Sequence, residues 1–441
     1  MIKNKIKIIL GFIFLVTISL FALKYFFLLN YYTNHSEAYR YFSNNFIIYL
    51  LLVGSLILIS IIYILLDKKL SQSPPRLAII LTGLIILSAI LILVFPIGAS
   101  DIFLYLIQAR TWALHGLNPY TNNYLQLITD AFYPGLKDNY WAGQTSSYGP
   151  LFILITGGLS FIFKNNFLAS ILGLKIFFAS IHLVNAGLIG KTLGKRFAWL
   201  YAFNPLILFE FLINGHNEVL LIFFCLLSFY WLWFKIPNLK NSLLAIFFLT
   251  LGVLIKFTPI ILLPFWGLAL FWRLKDRPSK KLFLILSPLL ILSTGFLIYL
   301  PFWQGIKTLI DPISNQMHFF SYLLSSPIIA LSYNLFMTLK LDNSWYLATL
   351  TGRSLFLAFF MLLIGRIIWT GKKLNIKKIL NYSILIMIIF YASFFPWLMP
   401  WYFTFLLLLL LIGYYLNKDQ KYLTAFYAIT FLEITYYLIL R

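Results

Sequence analysis

Residues 77–101 read LAIILTGLIILSAILILVFPIGASD, an apolar run that ends at Phe95 and leads through Pro96 to a single acidic residue, Asp101. A helix needs about 20 mainly apolar residues to cross the roughly 30 Å hydrocarbon core of a bilayer. The run is therefore predicted to span a membrane. Asp101 is predicted to lie at the membrane surface, just beyond the end of that span.

Similar apolar runs recur along the whole chain. Of its 441 residues, 61% are hydrophobic and only 10% are charged, and the mean hydropathy is +0.90, far outside the range of soluble domains. Further spans are predicted at 6–29, 46–66, 197–213, 217–234, 242–256, 259–272, 282–300, 346–369, 379–395, 402–416 and 422–440. Two more runs lie between residues 148 and 190, and we expect one of them to be re-entrant or interfacial. The sequence thus predicts an all-α, polytopic transmembrane helical bundle of about 12 to 14 spans.

The charge pattern predicts the orientation of this bundle. The net charge of +22 is the excess of 34 basic over 12 acidic residues. The basic residues are scattered in short clusters between apolar runs, which argues against nucleic acid as a partner. The positive-inside rule places these clusters and the N-terminus in the cytoplasm. The two long polar stretches, residues 96–147 and 301–345, are then predicted to lie outside and to face each other. The single cysteine, Cys225, excludes an intrachain disulfide.

Asp101 is the first candidate for chemistry, because a carboxylate at the membrane surface can meet a lipid headgroup. The local sequence also allows a plain structural role, in which Asp101 caps a helix that starts at Ile102. If residues 102–114 are helical, Arg110 lies about two and a half turns further along. Asp101 and Arg110 would then not pair directly, although both could reach a ligand that lies along the helix.

The rest of the first polar stretch is rich in aromatic and amide side chains. Asn118 and Tyr120 flank Pro119, Trp141 follows, and Tyr148 precedes Gly149 and Pro150. Aromatic faces stack on sugar rings, so these residues are candidates for binding a sugar. The plain alternatives are a turn at 118–120 and an interfacial anchor at Tyr148.

Ionisable residues inside or at the ends of apolar runs are the second set of candidates. Glu210 lies within an apolar run that ends in Asn214-Gly-His216-Asn217-Glu218, and Lys256 closes the run 242–256. Charges in a membrane are unfavourable unless they face a cavity or a partner, so a functional site is the first hypothesis. His216 and Glu218 could ligate a metal, but their spacing matches no characteristic metal motif.

Two further groups have equally plain alternatives. Lys256 is placed to bind a phosphate, or its side chain extends to the nearest headgroup. Trp401 and Tyr402 could contact a substrate, or they belong to an interfacial aromatic belt.

These segments together resemble a known superfamily. In chain order they are the acid after an early span, Arg110, Asn118-Pro-Tyr120, Tyr148-Gly-Pro-Leu151, Asn204-Pro205, Asn214-Gly-His-Asn-Glu218, Lys256-Phe-Thr-Pro259 and Pro400-Trp-Tyr402. The chain resembles bacterial GT-C glycosyltransferases that use polyprenyl-phosphate sugars, and most of all the mannosyltransferases that depend on polyprenol-phosphate mannose. The resemblance covers residues 77–405. It implies an N-terminal pair of helices (1–76), a membrane catalytic core (77–405) and C-terminal helices (406–441).

The resemblance also implies a mechanism. A hexose, in this case mannose, would move from a polyprenyl-phosphate donor to a glycan or glycolipid acceptor with inversion, at the extracytoplasmic side of the cell (inner) membrane. Asp101 would act as the base, and Lys256 and Arg110 would stabilise the departing phosphate. Many such enzymes have two neighbouring acids at this point, whereas here Ser100 precedes Asp101. No cofactor follows with certainty, and a divalent metal stays open.

Two other classes of function fit the composition. A lipid or sugar transporter or flippase would use the same aromatic belt and buried acids without bond chemistry, and Glu210 and Glu218 would then matter more than Asp101. A polysaccharide polymerase or ligase would need a glycan donor linked through a diphosphate.

Overall fold

The structure is a computed structural model that describes residues 2–22, 46–139, 141–310, 324–371, 375–432 and 434, and this part of the chain is helical without a β-strand. The predicted all-α class is confirmed. The main helices are α1 (Ile2–Ala22), α2 (Phe46–Leu70), α3 (Leu77–Leu91), α4 (Asp101–Ala113), α5 (Pro150–Phe163), α6 (Phe167–Thr192), α7 (Lys195–Ala202), α8 (Pro205–Leu208), α9 (Glu218–Trp233), α10 (Leu239–Ile255), α11 (Leu262–Arg273), α12 (Arg277–Tyr299), α13 (Pro327–Thr338), α14 (Ser344–Thr370), α15 (Ile376–Ser393), α16 (Phe403–Asn417) and α17 (Gln420–Thr430).

Within the described residues, six helical segments are long and apolar enough to cross a membrane: Leu50–Leu70, Phe167–Thr192, Arg277–Phe302, Ser344–Thr370, Ile376–Ser393 and Pro400–Asn417. A bent pair, Lys195–Ala202 with Pro205–Ile213, makes a seventh, and six other apolar helices have 10–17 residues. The chain is therefore a polytopic integral membrane protein. The number of full-length spans is smaller than the predicted 12 to 14, because several predicted runs form these shorter helices.

The region between residues 148 and 190 illustrates this difference. Its first run forms α5, which has 14 residues and so extends about 21 Å at 1.5 Å per residue. Its second run forms α6, which has 26 residues and is long enough to cross. The predicted spans 6–29 and 422–440 both extend into residues outside the described part of the chain. Lys372 and Lys373 of the basic clusters also lie outside it.

The N-terminal helices pack directly on the helices that follow. Phe12 of α1 contacts the rings of Trp199 and Phe203 edge-on. In α2, the hydroxyl of Tyr63 donates to the carbonyl of Leu200 at 2.6 Å. Asp67, also in α2, accepts from the guanidinium of Arg196 at 2.7 Å and from the hydroxyl of Tyr427 at 2.6 Å. A buried ion pair thus joins α2, α7 and α17.

The bend between α7 and α8 brings Glu210 to the functional region. Pro205 cannot donate the hydrogen bond that would continue α7, and the side chain of Asn204 instead accepts from the backbone N–H of Ile207. The two helices meet at 55°. Beyond α8 the chain turns through a π-helical segment, Phe209–Ile213. Such segments are rare and often occur at functional sites.

The polar stretch 96–147 folds into α4 and two one-turn helices, Tyr124–Gln126 and Tyr133–Leu136. It contacts the second polar stretch, since the amide of Asn118 donates to the carbonyl of Phe302 at 2.7 Å and Thr121 donates to Gln304 at 2.8 Å. The prediction that the two stretches face each other is confirmed. We call the end of the bundle that carries both stretches the loop face.

Candidate active site

Asp101 is the first residue of α4, and its carboxylate points to a neighbouring segment. The N-cap position belongs to Ser100, and no side chain caps this helix. Oδ1 of Asp101 instead accepts a hydrogen bond from the hydroxyl of Tyr148 at 2.8 Å. The capping role that the local sequence allowed for Asp101 is therefore wrong. The carboxylate is bound from outside its own helix.

His216 lies between two carboxylates. Its Nδ1 is 2.7 Å from Oε2 of Glu210, and its Nε2 is 3.8 Å from Oδ2 of Asp101. The imidazole is fully buried and stacks on the indole of Trp401, with ring centroids 4.1 Å apart and 18° between planes. Packing and charge together fix the orientation of this ring.

Asn214 connects Glu210 to the segment before Asp101. Its amide nitrogen donates to Oε2 of Glu210 at 2.9 Å, and its amide oxygen accepts from the backbone N–H of Gly98 at 3.0 Å. One side chain thus joins the π-helical segment to the turn 96–100. This link fixes the position of His216 relative to Asp101.

A second ion pair lies beside the first group. Lys256, at the end of α10, donates to Oε1 of Glu218, the first residue of α9, and both side chains are buried. The ammonium group lies 4.2 Å from the ring centroid of Tyr402. Lys256 is brought close to Tyr148 because the N–H of Gly149 donates to the carbonyl of Ile255 at 3.0 Å. A Cβ at Gly149 would overlap the carbonyl oxygen of Leu254, so this contact requires glycine.

Several buried polar atoms in this region have no partner among the described residues. They are Nδ2 and Oδ1 of Asn217 and Oε2 of Glu218. Buried polar groups in native proteins are nearly always hydrogen-bonded, so an unpaired set in one place indicates a site for a polar ligand or for water.

The charges around Asp101 favour its ionised form. Burial raises the pKa of Asp101, but the neighbouring imidazole of His216, the hydroxyl of Tyr148 and the charge of Lys256 outweigh it and hold the pKa below its ordinary value. Burial lowers the pKa of His216, but Glu210 and Asp101 raise it to about 10. Near neutral pH Asp101 is therefore a carboxylate and His216 an imidazolium.

Arg110 lies in a different network. Its Nε and Nη2 donate to Asp130 at 2.8–3.0 Å, Nη1 donates to the carbonyl of Lys164, and the guanidinium lies 3.7 Å from the ring centroid of Phe132. Asp130 also accepts from His115 at 2.6 Å and from Tyr124 at 2.7 Å. Arg110 thus holds the loop 114–139 against the start of α6.

Three other predicted residues lie apart from Asp101 and His216: Tyr120 positions the backbone of Tyr148, and Asn118 and Trp141 lie elsewhere in the loops. Tyr120 donates to the carbonyl of Tyr148 at 2.9 Å, and Asn118 joins the two polar stretches. Trp141 is half-buried, and its N–H donates to Asn139. The structure thus brings together Asp101, Tyr148, Glu210, His216, Asn217, Glu218, Lys256, Trp401 and Tyr402, whereas Arg110, Asn118 and Trp141 lie outside this group.

Tyr105 belongs to the site but was missed by the sequence analysis. Its hydroxyl accepts from the backbone N–H of Asn217 at 3.3 Å, and its ring meets that of Tyr148 edge-on at 5.0 Å. Tyr105 lies four residues after Asp101, so both occupy one face of α4. This four-residue spacing could have identified Tyr105 as a neighbour of Asp101 from the sequence.

The described residues contain no group of three or more His, Cys, Asp or Glu side chains arranged to hold a metal ion. His216 and Glu218, the pair considered for a metal, point instead to Glu210 and Lys256.

Comparison with known protein families identifies a relative of this chain. A family described as alpha-(1->6)-mannopyranosyltransferase, N-terminal domain, matches residues 9–272. No curated protein and no solved structure matches. The match starts nearer the N-terminus than the resemblance noted at residues 77–405, and it contains Asp101, Tyr148, His216, Glu218 and Lys256.

Proposed function

Because the chain belongs to the alpha-(1->6)-mannopyranosyltransferase family and is an integral membrane glycosyltransferase, we propose that it is a GT-C-type enzyme that takes mannose from a polyprenyl phosphate. The acceptor is a hydroxyl of a glycan or glycolipid, and the reaction inverts the anomeric carbon. The observation that carries this proposal is the ionised Asp101, held between His216 and Tyr148 and next to the Lys256–Glu218 pair.

Asp101 is assigned as the general base. Its side chain is 13% exposed, so an acceptor hydroxyl can approach the carboxylate, and its lowered pKa keeps it ionised. As the hydroxyl oxygen bonds to the anomeric carbon, its proton passes to Asp101. The bond from the anomeric carbon to the phosphate oxygen breaks, and the phosphate leaves as an anion without needing a general acid. A general base of this kind contributes about 10²- to 10⁴-fold to the rate.

Lys256 is assigned to the departing phosphate. A lysine ammonium has three N–H donors, and Glu218 accepts from only one of them. The others are available for phosphate oxygens, and a fixed cation at the point where negative charge grows stabilises the transition state. Arg110, which the resemblance linked to the phosphate, already donates to Asp130 and Lys164, so we assign it to holding the loop.

The sugar is assigned to the space around Asn217 and Glu218. Their unpaired amide and carboxylate atoms match the donors and acceptors of sugar hydroxyls, and Trp401 and Tyr402 supply aromatic faces. The family description specifies an alpha-(1->6) product. Direct displacement reaches an α product only from a β-linked mannosyl phosphate, so this donor anomer belongs to the proposal.

The site is assigned to the extracytoplasmic side of the cell membrane. All of its residues lie on the loop face, and the lysine and arginine clusters between spans put the opposite face in the cytoplasm by the positive-inside rule. A membrane-embedded donor with its sugar on the outside then reaches the site from within the bilayer.

The test is transfer by purified protein in proteoliposomes from two labelled donors, β-mannosyl polyprenyl phosphate and a nucleoside-diphosphate mannose. Extracted membrane glycolipids serve as acceptors. We expect transfer from the polyprenyl donor only, with an α linkage in the product by NMR. Transfer from the nucleotide sugar alone, or retention of the β configuration, would contradict the proposal.

A further inference from the structure

Arg353 is a half-buried cation that differs from the paired cations in the interior of the described chain. Arg110 pairs with Asp130, Arg196 with Asp67 and Lys256 with Glu218, and Lys175 donates to the carbonyl of Val94. Arg353 has no such partner: the N–H groups of its Nε and Nη2 are buried and donate to no acceptor among the described residues.

The position of Arg353 in the fold is well defined. Arg353 lies one turn from Thr349 and one turn from Phe356, on the same side of α14. The buried residues of this helix are Ser344, Ala348, Thr349, Gly352, Phe356 and Ile367. Gly352 packs against the carbonyl of Ser393 at the end of α15. The guanidinium carbon lies 5.6 Å from the ring centroid of Phe394. Arg353 is therefore level with the end of α15, on the loop face.

The surroundings compensate this charge only in part. The carboxyl end of α15 carries a partial negative charge, and the ring of Phe394 offers a weak cation–π contact. Neither supplies an acceptor for Nε–H or Nη2–H. Two charged donors that are shielded from water and have no acceptor leave the site incomplete without an anion.

The geometry of the unpaired atoms identifies the class of anion. Nε and Nη2 are the two adjacent donors of one edge of the guanidinium, and this edge forms two parallel hydrogen bonds with a phosphate or carboxylate. The outer surface of α14 next to Arg353 is apolar and exposed, as at Leu350 and Leu355, and α14 is a candidate membrane span. An anion that reaches this place along an apolar surface is the headgroup of a lipid.

We propose that Arg353 binds the phosphate of a membrane lipid through Nε and Nη2, at a position distinct from Lys256. The rings of Phe394, Phe395 and Tyr402 form a continuous series between the two cations. We assign the lipid to the polyprenyl carrier, which would occupy this position before or after its phosphate is at Lys256. The assignment to the carrier rests on the proposed function, whereas the lipid-phosphate site does not.

The test uses full-length protein in nanodiscs and three probes without sugar: polyprenyl phosphate, phosphatidylglycerol and inorganic phosphate. Binding is measured for the wild type, Arg353→Gln and Arg353→Lys, with Arg366→Gln as the matched control, since Arg366 is an exposed arginine of the same helix. Arg353→Lys retains the charge but loses the paired Nε and Nη2 donors. It therefore measures the contribution of these two donors even where the glutamine variant folds poorly.

We expect Arg353→Gln to weaken binding of polyprenyl phosphate at least tenfold, as loss of charge-assisted hydrogen bonds predicts, with Arg353→Lys between it and the wild type and Arg366→Gln unchanged. Weaker binding of phosphatidylglycerol alone would overturn the assignment to the carrier and leave a general headgroup site. If each probe binds to the three variants as tightly as it binds to the wild type, the site itself would be overturned. The probes carry no mannose, so failure of the transferase proposal would not affect this result.

Discussion

At the scale of single residues, the site consists of charges that control one another. Asp101 is an effective base only while it is ionised, and His216 is the largest favourable influence on that state. Glu210 in turn keeps the imidazole charged. The residue that performs the chemistry thus depends on two others that need not touch the substrate.

This dependence predicts a change in the pH profile. A base with a lowered pKa stays active as the pH falls until that low pKa is reached. In His216→Gln the imidazolium is lost, burial dominates, and the pKa of Asp101 rises. We expect the acid limb of kcat/KM to move to higher pH, and to move less but in the same direction in Tyr148→Phe. An acid limb that stays in place in His216→Gln would show that the histidine does not control Asp101.

Much of the site could be predicted from single residues. Glu210, His216, Glu218 and Lys256 stand out because charged groups in or beside apolar runs require partners, and the structure pairs them. The function of Arg110 could not be read in the same way, because its partner Asp130 is 20 residues away in a loop whose path depends on tertiary packing. Arg353 carried the same signal as Glu210, a charge inside an apolar run, but was overlooked.

At the scale of elements, close approach of backbone segments decides where the side chains meet. The N–H of Gly149 bonds to the carbonyl of Ile255, which sets Tyr148 at the start of α5 beside Lys256 at the end of α10. The bend at Pro205 and the π-helical segment after it place Glu210 opposite Asp101. Sequence periodicity predicts the helices but not these contacts, because a broken helix and a continuous one have similar apolar patterns.

Two glycine-to-alanine variants in the same region, one a test and one a control, probe this contact. In Gly149→Ala the added Cβ would overlap the carbonyl of Leu254 and push α5 from α10, and such overpacking costs about 1 to 3 kcal/mol. We expect a lower melting temperature and a transfer rate at least tenfold lower. Gly158→Ala is the control, because Gly158 lies in α5 with open space around it. Equal behaviour of the two variants would contradict the assigned role of Gly149.

The loop that Arg110 and Asp130 hold offers a second test at this scale. Their side chains are 2% and 1% exposed, and removing one partner of a buried pair costs about 3 to 5 kcal/mol. We expect Asp130→Asn to speed hydrogen exchange across residues 114–139 and to lower the melting temperature. Asp138→Asn, in the same loop but exposed, should change neither. Unchanged exchange in Asp130→Asn would show that the loop does not depend on the pair.

At the scale of the whole molecule, the main expectation is the side of the membrane on which the site lies. The only cysteine, Cys225, is buried, so a cysteine introduced at the surface can be labelled without background. We expect a membrane-impermeant maleimide to label Asp138→Cys in intact cells, and to label Lys275→Cys only after permeabilisation, since both positions are exposed. The reverse pattern would place the site in the cytoplasm and exclude a donor presented from outside.

The overall class was predictable because composition alone requires a membrane. The detailed spans were less so, because 14-residue helices such as α5 and bent pairs such as α7 and α8 have the same hydropathy as full spans. The division of the chain into 1–76, 77–405 and 406–441 stays a prediction. The ion pair of Asp67 with Arg196 shows that α2 packs on α7.

The central claim is that Asp101 is the base of a mannosyl transfer. The most direct measurement compares wild type, Asp101→Asn and Asp138→Asn for transfer from labelled polyprenyl-phosphate mannose at matched protein levels. We predict that the transfer rate of Asp101→Asn falls at least about a hundredfold, which is the rate contribution of a general base. The rate of Asp138→Asn should equal that of the wild type. Equal transfer by all three proteins would contradict it.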